Sequence, residues 1–176
     1  KGVDGVIIMG TAGTNPALGA GQTLIKIIRK IFGDRHKSKF LTNMAFGKYN
    51  ERIDGATTGR EWLTRDVEIV AKYAEDPACG FTFTAAGYAD LFSLLYYIDG
   101  ERWFDKVPKD MPMFIVSGSE DPVGSYGEGP TEVYDGLKAA DCSDVSIKLY
   151  DGMRHEILNE IGKEEVMEDI KNFILK

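Results

Sequence analysis

An acidic residue and a histidine each follow an apolar run of the sequence, and together they could transfer a proton. Asp121 comes shortly after the run at residues 111–116, and His155 comes shortly after residues 145–150. Both runs predict strands of one parallel sheet, and open α/β sheets carry their sites just beyond the carboxyl ends of the strands. A carboxylate orients an imidazole and stabilises its charged form. The two residues therefore predict an acid–base pair.

An acid followed along the chain by a histidine is also the order of the last two members of many Ser–His–Asp triads. The serine that would complete the triad is not evident, because G-x-S-x-G does not occur in the 176 residues. Ser125, within Val-Gly-Ser-Tyr-Gly at residues 123–127, lies one residue short of that motif. The simpler alternatives are that Asp121 forms a turn or caps a helix and that His155 is a structural loop residue.

The remaining core elements are read from apolar patterns. Residues 3–9 predict a strand that is buried on both faces, as in parallel sheets. Residues 10–14 form a glycine-rich loop that lacks both G-x-G-x-x-G spacing and the Lys-Ser/Thr of a P-loop, so a tight turn is the simpler interpretation than a phosphate cradle. Helices are predicted at about residues 131–140 and 163–175 from their apolar spacing.

Residues 15–104 contain several helical patterns and no convincing strand. Asn15 followed by proline predicts a helix start, Gly33 predicts its end, and Thr64 and Thr84 are predicted to cap two further helices. Such a long connection predicts a helical cap over the strand ends, although the basic residues of the first helix leave a membrane-surface helix open. The predicted apolar stripes comprise Leu24, Ile27, Ile28 and Ile31 in the first helix and Tyr88, Leu91, Leu94, Leu95 and Ile98 in the last.

Composition excludes several classes of function. The formal charge of −7 and the pI of about 4.9 argue against a nucleic-acid surface, and no apolar run approaches the ~20 residues of a membrane helix. Cys79 and Cys142 fit no metal spacing and predict free thiols in a cytoplasmic protein, with no visible signal peptide. No metal or organic cofactor is predicted. The chain starts with Lys1, which suggests a processed, tagged or truncated product.

Two loops of the sequence resemble those of a known family. Val-Ser-Gly-Ser-Glu-Asp-Pro-Val-Gly at residues 116–124 and Tyr-Asp-Gly-Met-Arg-His-Glu-Ile-Leu-Asn-Glu at residues 150–160 are similar to the acid and histidine loops of α/β-hydrolases. The branch in question contains monoacylglycerol lipases, lysophospholipases and serine aminopeptidases. Residues 13–16, 62–66 and 79–83 resemble the cap of bacterial members, so the resemblance covers essentially the whole chain.

The resemblance implies an α/β fold that is part of an α/β-hydrolase. Residues 1–14 and 105–176 would form the C-terminal part of the core, and residues 15–104 would form the helical cap. Asp121 would be the triad acid and His155 the general base, while the nucleophile and the oxyanion donors would lie outside this chain. The cap would bind a small acyl-ester or lipid-like substrate, and the candidate contacts are Leu24, Ile28, Tyr88 and Leu91.

The strand at residues 3–9 would leave an apolar sheet edge uncovered, with only Asp4 to deter pairing. We therefore expect this edge to pair with an N-terminal hydrolase fragment or with a second copy of the chain. The alternative function is a non-catalytic, oligomeric binding or scaffold module that retains the apolar pocket. A nucleotide-binding domain that uses residues 10–14 is disfavoured, because no acidic ribose ligand follows at the usual spacing.

Overall fold

The computed structural model describes residues 2–98 and 101–176, and its centre is a parallel sheet of three strands. The strands are β1 (Val6–Met9), β2 (Met113–Gly118) and β3 (Val145–Tyr150), in that spatial order. Met113 lies opposite Val6 on one side and Val145 on the other. Because the strands run in the same direction, the loops that follow β2 and β3 meet at the carboxyl end of the sheet.

Six α-helices occur in the described residues, and four of them lie between β1 and β2. They are α1 (Leu18–Phe32), α2 (Lys39–Phe46), α3 (Val67–Glu75), α4 (Ala85–Ile98), α5 (Glu128–Ala139) and α6 (Lys163–Ile174). Three short 3-10 helices span Glu61–Leu63, Glu101–Lys106 and Ile157–Asn159. The described part of the β1–β2 connection thus contains helices and no strand, as the sequence predicts. Lys1 and residues 99–100, which the predicted core and cap segments include, lie outside the described residues.

The sheet has an apolar core on each face. Residues of β2 alternate between the two faces, and every residue of that strand is buried. On one face, where α5 packs on the sheet, the core consists of Met113, Ile115, Val133, Leu137, Cys142 and Val145. On the other face, α6 and the loop after β3 cover Phe114, Val116, Tyr150, Met153, Ile157 and Val166. Burial on both sides explains why Met113–Val116 of β2 are continuously apolar rather than alternating with polar residues.

A third core joins the helices of the long connection. Ile25 of α1, Leu41 of α2, and Ala85 and Tyr88 of α4 are completely buried against one another. The Tyr88 hydroxyl donates to Thr42 Oγ1 at 2.9 Å, so the polar end of this ring has a partner. Burial of side chains of this size stabilises the packing by about 1.5–3 kcal/mol each. The helices therefore have an apolar core of their own.

The predicted caps at helix starts are right in one case and wrong in two. Thr84 caps α4, because its Oγ1 accepts from the Gly87 amide at 3.1 Å. Helix α1 begins at Leu18 rather than after Asn15, whose side chain instead accepts from the Ala17 amide in a turn that precedes the helix. The predicted end of α1 at Gly33 is confirmed, with a φ of 87° at that glycine.

The second wrong start concerns α3. Asp66 caps this helix by accepting from the amides of Glu68 and Ile69 at 3.0 and 3.2 Å. Thr64 is fully buried, and its hydroxyl donates to the Asn159 carbonyl at 3.0 Å. A long-range partner, which the local sequence does not show, thus takes the side chain that was predicted to cap the helix.

Two burial predictions are also wrong. Strand β1 is only partly buried and Met9 is 38% exposed, because β1 pairs with β2 alone among the described residues. In α1 the buried apolar side chains are Leu18 and Ile25, whereas Ile27 and Ile31 are 51% and 66% exposed. Leu94 and Ile98 of α4 are likewise more than half exposed. These helices are apolar around much of their circumference, so periodicity alone does not identify the inner face.

Helix α2 is not among the helices that the sequence specifies. Ser38 caps it, with Oγ accepting from the Leu41 amide at 3.3 Å. Cys79 and Cys142 are both free thiols, as the sequence predicts.

Candidate active site

Asp121 is held in the turn after β2 by three donors. Its side chain is fully buried. Oδ1 accepts from the Val123 amide at 2.8 Å, and Oδ2 accepts from the Ser117 hydroxyl at 3.3 Å. Nδ1 of His155 lies 2.9 Å from the same Oδ2. An ionised carboxylate only accepts, so Nδ1 is the donor in this pair, and a neutral imidazole with that proton would present Nε2 as a base.

His155 is positioned through its backbone and through its ring. Its amide donates to the Trp62 carbonyl at 3.4 Å, and the next amide, of Glu156, donates to the Leu63 carbonyl at 2.7 Å. The Trp62 and His155 ring centroids are 5.3 Å apart. The His155 side chain is 28% exposed, in contrast to the buried Asp121. The histidine can therefore meet a reacting group while its carboxylate partner remains screened from water.

Two glycines permit close backbone approaches to this pair. A Cβ at Gly10, which has a φ of 58°, would lie 3.2 Å from Cε1 of the His155 ring. A Cβ at Gly118 would overlap the carbonyl oxygens of Met153 and Arg154. The loop after β1 and the end of β2 are thus packed directly against the segment that carries the histidine.

Glu160 fixes the other end of the histidine loop. Its buried carboxylate accepts from the amides of Arg154 and Arg65 at 2.9 Å each and from Ile161 at 3.0 Å. It also forms an ion pair with Nε of Arg65 at 2.9 Å. Four donors on one carboxylate join the histidine loop to the segment before α3, and charge-assisted hydrogen bonds of this kind are stronger than neutral ones.

An apolar cavity of about 350 Å³ opens between α1, α2 and α4. It is lined mainly by aliphatic and aromatic side chains, including Leu18, Leu24, Met44, Phe46, Leu91 and Leu95. Leu24 and Leu91, two of the predicted substrate contacts, line this cavity. Ile28 and Tyr88 do not, because both belong to the core beneath it.

Tyr49 lines this apolar cavity and also a second, polar cavity. Burial, together with the negative charge of Asp121, raises the pKa of the Tyr49 phenol. Its ring packs edge-on against Trp62 at a centroid distance of 4.9 Å, and Trp62 in turn contacts His155. These aromatic contacts connect the cavity wall to the acid–base pair.

The sequence did not identify Ser117, Trp62 and Gly10 as parts of the site. Ser117 lies four residues before Asp121, a spacing that gives no signal unless the strand is known to end between them. Trp62 is 8% exposed, and its Nε1 has no hydrogen-bond partner among the described residues. The other histidine, His36, stacks on Phe32 after α1 at 4.9 Å. No group of three or more metal-binding side chains occurs in the described residues.

Comparison with known families identifies the family of this chain. The family model described as serine aminopeptidase, S33, matches residues 1–162. The chain belongs to this family. No match was found among the curated proteins.

Solved structures agree with the assignment to the S33 family. A thermostable carboxyl esterase from Bacillus coagulans, in complex with glycerol, is 32% identical, with a TM-score of 0.87 over 98% of this chain. A lipase in its open form is 25% identical, with a TM-score of 0.80 over 98% of this chain. A monoglyceride lipase variant from Saccharomyces cerevisiae, at 20% identity over 97% of this chain and a TM-score of 0.61, shares the fold.

The S33 family member described here spans little more than half of these solved structures, namely 56%, 56% and 55% of their chains. Its three parallel strands and their helices are therefore part of an α/β-hydrolase fold. Within the described part of the chain, no helix combines the length and apolar character needed to cross a membrane.

Proposed function

We propose that this chain supplies the acid and the base of a Ser–His–Asp triad in a hydrolase of carboxylic esters. The observation that carries the proposal is the 2.9 Å approach of His155 Nδ1 to the buried Asp121 Oδ2. The serine would come from outside residues 1–176, because the chain has no G-x-S-x-G.

The proposed mechanism uses His155 twice. Nε2 of His155 takes the proton of the serine hydroxyl as the serine oxygen attacks the ester carbonyl, and Asp121 stabilises the resulting imidazolium. The imidazolium then protonates the leaving alkoxide, and an acyl-enzyme remains. Water repeats the sequence in the second half, releasing the carboxylic acid and restoring the serine. The oxyanion donors would be supplied with the serine from outside this chain.

The apolar cavity supports an ester with an apolar acyl group. Its lining from α1, α2 and α4 offers aliphatic contacts, among them Leu24 and Leu91, and transfer of an acyl chain out of water is favourable by ~0.8 kcal/mol per buried methylene. Residues 15–104 would then act as the cap over the site. The carboxyl esterase and the lipase among the similar structures support the same reaction class.

We also propose that β1 pairs with a strand from outside residues 1–176. Its only partner among the described residues is β2, so its other edge is unpaired, and the strand carries exposed apolar side chains such as Met9. Unpaired apolar edges promote association. Light scattering should show an oligomer of the 176-residue chain alone, or a complex when an N-terminal fragment is added. A stable monomer in both measurements would contradict this.

The triad is tested by p-nitrophenyl ester turnover and by fluorophosphonate labelling read as intact mass. The chain alone should show neither turnover nor label, whereas the longer protein that contains it should show both. In the longer protein, Asp121→Asn should lower kcat by about 10⁴-fold, as when a triad imidazole loses its correct tautomer. Asp151→Asn is the matched control, since Asp151 is an exposed carboxylate in the turn after β3.

Three outcomes would contradict the proposal. A label on a serine of the isolated chain, with Ser125 the first to examine, would place the nucleophile inside residues 1–176. An Asp121→Asn protein with the parent turnover would remove the acid from the mechanism. A longer protein with neither turnover nor label would favour the alternative of a non-catalytic binding module that retains the apolar cavity.

A further inference from the structure

The polar cavity, which shares Tyr49 with the apolar cavity, has more positive than negative side chains in its wall, although the chain as a whole is acidic. It has a volume of about 220 Å³ and contains Arg52, Arg65 and Arg154 in its wall, with Glu120 as the one acidic lining residue. The chain as a whole carries a formal charge of −7. A cluster of three guanidinium groups around one cavity is therefore a local reversal of the overall charge.

Two of these arginines are held in place by the protein itself. Arg154 Nη1 donates to the carbonyls of Glu61 and Thr64 at 2.8 and 3.2 Å. Arg65 is anchored through Nε to the buried Glu160 and through Nη2 to the Ile161 carbonyl at 3.1 Å. Because these contacts already fix the guanidinium groups, a ligand would not have to order them on binding, and preorganisation of this kind favours affinity.

Arg52 is the arginine with the most freedom to accept a ligand. Its guanidinium carbon lies 3.4 Å from the centroid of the Tyr126 ring, and no carboxylate of the described residues pairs with it. Stacking on an aromatic face leaves the N–H groups along the edge of the guanidinium plane free for an acceptor, and these groups match the oxygens of carboxylates and phosphates.

The charges around the cavity do not cancel. The Glu160 carboxylate is engaged by Arg65 and by three backbone amides. Glu120 lies in the same wall and offsets one more positive charge, so the three arginines exceed the two carboxylates by one. Asp121, the neighbour of Glu120, is paired with His155 instead. The excess is positive, and among the described residues neither Arg52 nor Arg154 forms an ion pair with a carboxylate.

We propose that this cavity binds a phosphate group. Arginine pairs with phosphate through two parallel hydrogen bonds, and three guanidinium groups around one small cavity supply more donors than a carboxylate could use. The phosphate could be the free ion or the head group of a larger molecule whose apolar part enters the cavity on the other side of Tyr49. The site goes beyond the proposed function, because binding requires neither the serine nor turnover.

Binding is measured by calorimetry on the 176-residue chain with inorganic phosphate, glycerol 3-phosphate and glycerol. We expect both phosphates to bind and glycerol, the neutral match, not to bind. Similar affinities for the two phosphates would indicate the free ion, and tighter binding of glycerol 3-phosphate would indicate a head group. Two-dimensional NMR of the arginine Nε–H signals should show shifts at Arg52, Arg65 and Arg154.

Two substitutions should move the affinity in opposite directions. Arg52→Gln removes a guanidinium that pairs with no carboxylate and should weaken phosphate binding about tenfold. Glu120→Gln removes a negative charge that repels phosphate and should tighten binding several-fold. Arg35→Gln, at an exposed arginine of the α1–α2 link, is the control and should leave the affinity unchanged. A general loss of folding could not produce tighter binding in the Glu120 variant.

The proposal is overturned if neither phosphate binds, or if both the Arg52 and the Glu120 variants bind phosphate with the parent affinity. It is also overturned if glycerol competes equally with glycerol 3-phosphate, because the charge would then play no part. None of these outcomes depends on ester turnover, so the proposed triad and the phosphate site can fail independently.

Discussion

The carboxyl end of the sheet and the outer face of α1 and α4 are stabilised in different ways. At the sheet end, polar side chains are buried and hydrogen-bonded, namely Thr64, Ser117, Asp121 and Glu160. On the outer helical face, apolar side chains are more than half exposed, namely Ile27, Ile31, Leu94 and Ile98. The sheet end thus contains buried polar groups with fixed partners, whereas the outer helical face contains apolar groups that no other described residue buries.

The two regions therefore differ in how strongly displacements of their side chains are opposed. A buried polar group that loses its partner costs about 1–3 kcal/mol, so small displacements at the sheet end are strongly opposed. Apolar contacts are not directional, and their free energy depends mainly on the area removed from water. Asp121 and His155 therefore lie where distances are tightly specified. The outer helical face has no contacts among the described residues that would fix its side chains in the same way.

The largest effect is expected at Gly118, the last residue of β2. Its Cβ position is occupied by the carbonyl oxygens of Met153 and Arg154, which are backbone atoms and cannot rotate away. Gly118→Ala should reduce the free energy of unfolding by about 3 kcal/mol or more, as measured by urea denaturation.

Gly19 of α1 provides the matched glycine in the helical region. Nothing lies within 4 Å of its Cβ position, so Gly19→Ala should be neutral or stabilising by about 0.5–1 kcal/mol through its helix propensity. Equal effects of the two substitutions would show that the sheet end is no more tightly packed than α1.

Glu160 is expected to have the next largest effect. In Glu160→Gln, one amide NH₂ would face donors from Arg65 or Arg154, because all four hydrogen bonds to this carboxylate are accepted ones. The variant should lose about 2–4 kcal/mol of stability in thermal or urea unfolding. Glu164→Gln, at an exposed position in the first turn of α6, should change stability by no more than about 0.5 kcal/mol.

The regular parts of the molecule were predictable from sequence because their patterns are local. The β3 strand, the end of α1 at Gly33 and the cap of α4 at Thr84 follow from periodicity and capping chemistry within a few residues. The order of Asp121 and His155 after successive strands also predicts their proximity, since the loops that follow parallel strands lie at the same end of the sheet. The structure brings the two side chains to 2.9 Å.

The residues that escaped prediction have partners far along the chain. Thr64 was expected to cap a helix, but it bonds to Asn159, which is 95 residues away. Trp62 supports His155 from 93 positions earlier in the sequence. The inner face of α1 was misplaced for a different reason, because apolar residues such as Ile27 occur on both of its faces. Contacts of this kind depend on tertiary packing, which local propensity does not encode.

The Glu61 carboxylate, which accepts from Thr57 and Thr58 before the 3-10 helix at residues 61–63, gives a test by acid. Burial would raise the pKa of Glu61, but hydrogen bonds from the amides of Thr58 and Thr57 outweigh it and lower the pKa to about 2. An unfolded glutamate titrates near pH ~4.3, so the folded state is stabilised above that pH, and this stabilisation is lost as the pH falls towards 2. Its size is on the order of 1–2 kcal/mol after solvent screening.

Glu61→Gln lacks this titration. The stability difference between parent and variant should therefore be largest near pH 6 and should shrink as the pH is lowered to about 2.5, as measured by urea unfolding at each pH. A difference that stays constant over this range would mean that the Glu61 carboxylate has the same pKa in the folded and unfolded states.

The smallest effect is expected on the outer helical face. Ile31 is 66% exposed, so Ile31→Ser should change the free energy of unfolding by no more than about 0.5 kcal/mol. Ile25, six residues earlier on the buried side of α1, is the control, and Ile25→Ala should lose about 2–4 kcal/mol. If Ile31→Ser instead destabilises the protein by more than about 1.5 kcal/mol, this face must be covered in solution. A concentration dependence of that loss would then identify the cover as a second copy of the chain, because self-association alone makes stability depend on protein concentration.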